Sequence, residues 1–349
     1  MRIFVTHIVP RKEVMRCRMS VAACNFSWNL APAVDRVVSI LPTFVMEEVS
    51  EFPELVYCRW MRKNRFLRPF APIVEGWKAM KRIPKGSDVW HYNCTQLNAP
   101  LMLMLKLFRP SVRQFIIVLD YTPSKKLLPR LFLHLTNKMA GTICLAPSPL
   151  FTVKNSVLLP GVVPDDGKRW PGVKEPVKEF LISGVLHDNI AMLPTLLEAF
   201  SQLPQLTLNI TGTAPDSTLV ESYTSRCPNI HYHGMVSYEE YLEILHRCPF
   251  QLSTRNPEAP ENQCNFPSKI IEALLHNRII VSTIHYPQLD GIRYFEVAPD
   301  VAGMTADLRR IASLPVADLL AAANQAEEVH KRFSTAVWRS TMERIEAAE

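Results

Sequence analysis

Short apolar runs alternate with amphipathic segments along the whole chain. The runs Ile3–His7, Arg36–Leu41, Asp88–Tyr92, Phe115–Leu119 and Thr142–Ala146 predict strands, and most of the gaps between them carry helical spacing. After a break the alternation restarts at Phe180–Gly184, Leu206–Thr211, Ile230–Gly234, Phe250–Ser253, Arg278–Ser282 and Phe295–Ala298. Strands separated by helical patterns of about 10–15 residues imply βαβ units and parallel sheets. The break carries Pro160, Gly161, Pro164, Gly167, Pro171, Gly172 and Pro176, which suits a linker. The pattern therefore predicts an α/β chain of two Rossmann-like domains facing a central cleft.

Helices of the second half are well marked. Ser237-x-x-Glu240 is a capping box, and Tyr241, Leu242 and Leu245 form the face to be buried. Asn189–Phe200 sets Leu193, Leu196, Leu197 and Phe200 on one stripe. Pro267 is suited to open a helix, with Ile270/Leu274 and Ile271/Leu275 turned inward.

A length of 349 residues agrees with two domains. The apolar content of 48% is too high for a disordered chain, yet no run approaches the roughly 20 apolar residues that cross a bilayer. The opening Met1–Val5 soon meets Arg11, Lys12 and Arg16, so a secretion signal is not expected. Eight cysteines stand singly, with no C-x-x-C and no metal-finger spacing; free thiols in a reducing cytoplasm are expected. Charge adds more. Residues 1–163 carry +14 and the remainder −8, which points to one domain facing an anionic partner.

Ligands of open α/β sheets bind outside the carboxyl ends of the strands. Gly184 and Gly212 follow strands there, each equally readable as a plain tight turn. The segment 256–274 says more. It joins a strand to a helix whose first turn holds Ser268 and Lys269, so backbone N–H groups, a hydroxyl and an ammonium can meet an anion such as a diphosphate. Glu272 follows one turn later, placed to accept from two ribose hydroxyls. Spacing alone leaves this even with an ordinary glutamate favoured by the helix dipole.

The blocks Phe180–Gly184, Leu206–Gly212, Asn229–Met235, the Ser237-x-x-Glu240 helix and Phe266-Pro-Ser-Lys-Ile-Ile-Glu272, followed by Arg278–Ser282, resemble the nucleotide-binding domain of GT-B glycosyltransferases. The resemblance is to the retaining group called glycosyltransferase family 4, over roughly residues 155 to 340. In the first half Phe115–Asp120 and Gly141–Ser148 sit where that family has its later strands, and Val157–Val162 is similar to its hinge entry. The resemblance implies a GT-B architecture: an acceptor domain over 1–163, a nucleotide-sugar domain over 164–332, and a helix at 333–349 returning to the first. It also implies transfer with retention and without a metal or other cofactor, from a UDP- or GDP-linked sugar. Donor contacts are expected at Gly184, Gly212, Asn265, Ser268, Lys269 and Glu272.

Three positions depart from the family. It usually has two glutamates eight residues apart; the later falls on Glu272, but Cys264 occupies the earlier, with Glu258, Glu261 or Asn265 as possible substitutes. An arginine and a lysine usually follow the first strand of the second domain, and Gly184–Ile190 has neither. Arg11, Lys12 or Arg255 would then help the Ser268 turn hold phosphate. Leu119 replaces a histidine before Asp120. Asp120 and His91 are the candidates for orienting the acceptor hydroxyl; Asp120 satisfying backbone groups and His91 closing a strand are the bland readings.

Between Arg59 and Lys85 lie nine basic residues and the single acid Glu75, interleaved with Trp60, Phe66, Phe70 and Trp77. Cations mixed with aromatics read as an element lying on an anionic membrane surface. In Lys125–Lys138 a similar stripe, Leu127 to Leu135, reads rather as a core face. The expectation is a cytoplasmic enzyme, peripheral on the inner face of the plasma membrane, that extends a saccharide, lipid-linked, during surface polysaccharide or glycan assembly. The alternative is a non-catalytic GT-B module that only holds a nucleotide or glycan. A nucleic-acid partner is not expected, since no RRM-like, helix-turn-helix or zinc motif accompanies the charge.

Overall fold

The computed structural model describes residues 1–45, 49, 54–121, 123–187 and 191–348. The expected helix start at Asn189, the last three residues of the stretch Gly184–Ile190 and the final Glu349 fall outside these residues. The chain divides into two compact units. The first comprises Met1–Pro164 with Phe333–Glu349, and the second Asp165–Arg332.

In the first unit, strands β1 (Arg2–Thr6), β2 (Arg36–Ile40), β3 (Glu54–Val56), β4 (Asp88–Tyr92), β5 (Arg113–Val118), β6 (Gly141–Cys144) and β7 (Ser156–Leu158) form one sheet ordered β3-β2-β1-β4-β5-β6-β7. Every pairing is parallel. Central strands are apolar on both faces because helices cover both: Ile3, Val5, Val38, Val89, Leu101 and Leu105 share one buried cluster. Two strands were not expected from the sequence. β3 and β7 have three residues each and lie at the sheet edges, where a partly polar run leaves little signature.

A helix at Thr335–Ala347 closes this unit. Its Glu346 takes Arg2 in a fork, Nε to Oε1 at 2.7 Å and Nη2 to Oε2 at 2.6 Å, and accepts from the Trp90 indole at 2.8 Å. Trp338, fully buried, donates to the Gly161 carbonyl at 2.6 Å.

The second unit repeats the topology. Strands β8 (Glu179–Val185), β9 (Thr207–Thr213), β10 (Ile230–Gly234), β11 (Phe250–Ser253), β12 (Ile279–Ser282) and β13 (Phe295–Glu296) form a parallel sheet ordered β10-β9-β8-β11-β12-β13. Its core gathers Phe180, Leu196, Leu197, Phe200, Leu208, Phe250 and Val281. The first strand of each unit lies inside its sheet with the order reversing beside it, the doubly wound arrangement whose switch point sits at the strand carboxyl ends.

The Leu127–Thr136 helix differs from expectation. Leu127 is 84% exposed, and Leu128 and Leu131 are exposed too; only Leu135 and Thr136 are buried. Its last turn alone reaches the core, so the remaining leucines do not form a core face. All eight cysteines are free, and Cys144 and Cys248 are buried. No helix among the described residues is long and apolar enough to cross a membrane.

Candidate functional site

The second unit builds its site on two helices and the end of β8. The Tyr238–Arg247 helix is fixed by the capping box: Ser237 Oγ accepts from the Glu240 N–H at 3.2 Å and Glu240 Oε2 from the Ser237 N–H at 2.9 Å. This helix packs on β8 and carries Tyr241 inward. The second helix, Ser268–Leu275, starts one residue later than expected, with Pro267 as its cap residue. No side chain caps it; the Ile270 N–H donates to the Pro267 carbonyl at 3.0 Å, and the amides of Ser268 and Lys269 are those of an open helix start. Phe266, edge-on to Tyr286 at 5.2 Å, anchors the entry.

Glu272 is the centre of the arrangement. Its Oε2 accepts from the Tyr241 hydroxyl at 3.1 Å and lies 2.7 Å from Lys269 Nζ. The ammonium also sits 4.0 Å from the Tyr241 ring centroid, a cation–π contact. The other oxygen, Oε1, has no hydrogen bond among the described residues. A partly exposed carboxylate is therefore held by one oxygen and left open at the other. Burial, and then the Glu272 charge, push the Tyr241 phenol well above its ordinary range, so it stays a donor. Tyr241 was legible in the sequence only as a buried helix position; its hydroxyl is the signal that it does more.

Ser268 is exposed beside this pair, and Asn265 is half-buried just before it. Lys269, drawn back onto Glu272 and Tyr241, does not reach forward from the turn. Cys264 is buried at the end of the short Pro260–Cys264 helix. Gly184 and Gly212 pair in register at the ends of β8 and β9, with φ of +126° and +109°. A side chain on Gly212 would collide with the Gly184 carbonyl oxygen, so strand packing already requires that glycine. Around Gly184 a Cβ would meet nothing within 4 Å, which leaves its backbone open to approach. The hydroxyls of Ser183 and Ser253, near the ends of β8 and β11, lie against the Tyr241 and Tyr286 phenols.

The first unit places its candidates on neighbouring strands. Asp120 is exposed just beyond β5. Asn93, at φ +48° after β4, positions this turn: its Oδ1 accepts from the Leu119 N–H at 2.8 Å. Asn93 was not singled out from the sequence, and the preference of asparagine for that backbone region was its only signal. Tyr92 is raised by burial and then by Asp120. His91, by contrast, is 0% exposed and bonds Gln114 Oε1 through Nε2 at 3.1 Å. Burial drops it to about 4, so it is a neutral imidazole within the sheet and has no route to an acceptor hydroxyl. Arg11 and Lys12 are exposed on the short turn Arg11–Glu13 after β1, with the Arg11 guanidinium 5.9 Å from the Trp28 ring.

Two units of this topology in one chain define the GT-B class of fold, and solved structures share it. Anabaena HepE, crystallised in complex with UDP and glucose, matches at TM-score 0.68 and 13% identity over 100% of this chain and 99% of its own. An α,α-trehalose-phosphate synthase (UDP-forming) from Burkholderia vietnamiensis matches at TM-score 0.69 and 10% identity over 99% of both chains. S. aureus TarM, in complex with UDP and α-GlcNAc-glycerol among others, matches at TM-score 0.56 and 14% identity. There the match covers 78% of this chain and only 58% of TarM. At these identities the likeness is one of fold. No protein-family model and no curated protein sequence matches the chain.

Proposed function

We propose that this chain is a glycosyltransferase that moves a sugar from a nucleotide diphosphate sugar to a saccharide acceptor. The observation that carries the reading is Glu272, one turn inside an uncapped helix and held at one oxygen by Tyr241 and Lys269. The free oxygen accepts from the ribose diol, while the Ser268 turn, beside Asn265, faces the diphosphate. The open backbone at Gly184 admits the donor closely. As the glycosidic bond breaks, negative charge grows on the leaving phosphate, and donors already fixed in place stabilise it. UDP in the HepE and TarM complexes, on the same fold, favours a uridine donor.

The first unit would take the acceptor, with exposed Asp120 orienting its hydroxyl and Arg11 or Lys12 meeting an acceptor phosphate. Retention of configuration without a metal, a lipid-linked acceptor, and work at the inner face of the plasma membrane in polysaccharide or glycan assembly complete the reading. The Arg59–Lys85 segment supplies the membrane contact. Cys264, buried where a carboxylate would touch the donor sugar, favours a second reading: a module that holds the nucleotide without turnover.

Thermal unfolding with UDP, GDP and their glucose and mannose conjugates tests both. A ligand at about 100 times its dissociation constant adds roughly 2.7 kcal/mol of stability. Stabilisation by one nucleotide, with free nucleotide released from its sugar conjugate once acceptor is added, is expected of the transferase. Stabilisation without release identifies the module, and no stabilisation by any nucleotide removes both.

A further inference from the structure

We infer that two adjacent helices of the first unit, Ala71–Arg82 and Ala99–Phe108, form a single bilayer-docking face that inserts apolar side chains into an anionic leaflet. The membrane reading above drew on Arg59–Lys85 alone. The second helix contributes an exposed edge.

The two helices follow β3 and β4, and they pack closely because Gly76 faces Leu101: a Cβ on Gly76 would sit 3.0 Å from the Leu101 nitrogen. This brings Trp77 and Phe108 edge to face at 6.0 Å, both rings exposed. Leu107 is 71% exposed next to Phe108. Ahead of the first helix Phe66 is 82% and Trp60 63% exposed. Monomeric proteins seldom expose aromatic and aliphatic side chains in such number on neighbouring elements without a partner.

Charge names the partner. Of the nine cations between Arg59 and Lys85, only Arg62 is buried, and it is bound to Glu75, which is the only acid of that segment and is buried as well. The segment's outward charge is therefore entirely positive, and Lys106 adds to it from the second helix. A second copy of the same face would set like charges against each other, which disfavours self-association. A single-stranded nucleic acid would stack on the rings but gain nothing from Leu107. Lipid headgroups above and acyl chains below match cations and apolar side chains together.

The 349-residue chain is to be sedimented with vesicles of phosphatidylcholine plus phosphatidylglycerol, and with phosphatidylcholine alone. Binding is expected only to the anionic vesicles, weakened by roughly a hundredfold in a Lys78→Glu/Lys81→Glu/Lys106→Glu variant at low salt. The variant Leu107→Ser/Phe108→Ser keeps every cation, and it too is expected to lose at least tenfold. Equal binding of that variant and the native chain overturns the insertion. So does a native chain that ignores anionic vesicles, or a concentration-dependent dimer that the same variant abolishes. Thermal midpoint and nucleotide binding are followed in every variant. The docking inference rests on the membrane part of the proposed function but not on the donor site, so vesicle binding and nucleotide binding fail separately.

Discussion

Arg62 and Glu75 form an ion pair with no solvent access on either side: Glu75 Oε1 lies 2.8 Å from Arg62 Nη2 and 3.0 Å from Nε. The same carboxylate oxygen accepts from the Cys58 N–H at 2.7 Å. The guanidinium also donates to the carbonyls of Leu41, Pro42 and Val45, tying down the chain beyond β2. Glu75→Ala leaves a buried guanidinium uncompensated, a change that costs about 3–5 kcal/mol. Urea denaturation should show that loss, while Lys78→Ala, on the same helix but exposed, should leave the midpoint within about 0.5 kcal/mol. Equal small effects would remove the structural role given to this pair.

A pH dependence follows from two histidines, His91 fully buried and His7 half-buried. His7 and His91 both titrate at about 4 in the folded chain, burial being the larger cause in each. His7 is held by the Ile40 carbonyl at 2.8 Å, a bond that opposes burial without overcoming it. Their unfolded values are about 6.5. Below that pH the unfolded chain binds protons that the folded chain refuses. Stability is therefore complete above about 6.5 and is lost as the pH falls towards 4, by roughly 1.4 kcal/mol per pH unit for each imidazole. Thermal midpoints measured from pH 7 to 4.5 should fall along this course, and His91→Gln should make the slope shallower.

Gly184 and Gly212 separate strain from collision. Both have positive φ, so alanine is strained at either. Only at Gly212 would the added carbon also strike backbone, the Gly184 carbonyl. Gly212→Ala should therefore destabilise by at least about 2 kcal/mol more than Gly184→Ala in chemical denaturation. If Gly184 borders the donor, Gly184→Ala should weaken nucleotide binding by more than its smaller backbone strain costs in stability.

The terminal helix is expected to behave as part of the first unit's core. Glu346→Ala removes the fork to Arg2 and the acceptor of the Trp90 indole, with loss of about 1.5–3 kcal/mol in the thermal or urea transition. Glu343→Ala, whose partner contact to Arg2 is longer at 3.6 Å and whose side chain is more exposed, should cost far less.

What the sequence revealed follows physical lines. Strands buried on both faces, such as Phe115–Leu119 and Phe250–Ser253, announce themselves as apolar runs, and the capping box at Ser237 marks its helix from four residues. Edge strands such as Glu54–Val56 are three residues long with one of them charged, so they carry no such mark. The leucines at 127, 128 and 131 have core spacing yet meet no core, because the spacing of a stripe does not say whether anything packs against it. Arg62 and Glu75 belong to the segment that reads as a membrane-surface element; their burial depends on the carbonyls beyond β2, distant in sequence. At the candidate site, Glu272 was legible from its helix, whereas the hydroxyl of Tyr241, 31 residues away, reached it only through the tertiary fold.

The central claim is that Glu272 grips a nucleoside diphosphate. Titration calorimetry of UDP and GDP against the native chain and Glu272→Gln tests it most directly, with melting curves of both proteins recorded without ligand. The account predicts that one nucleotide binds the native chain and that the variant, folded to a similar midpoint, binds it roughly 10- to 100-fold more weakly. Undiminished affinity in Glu272→Gln would contradict it.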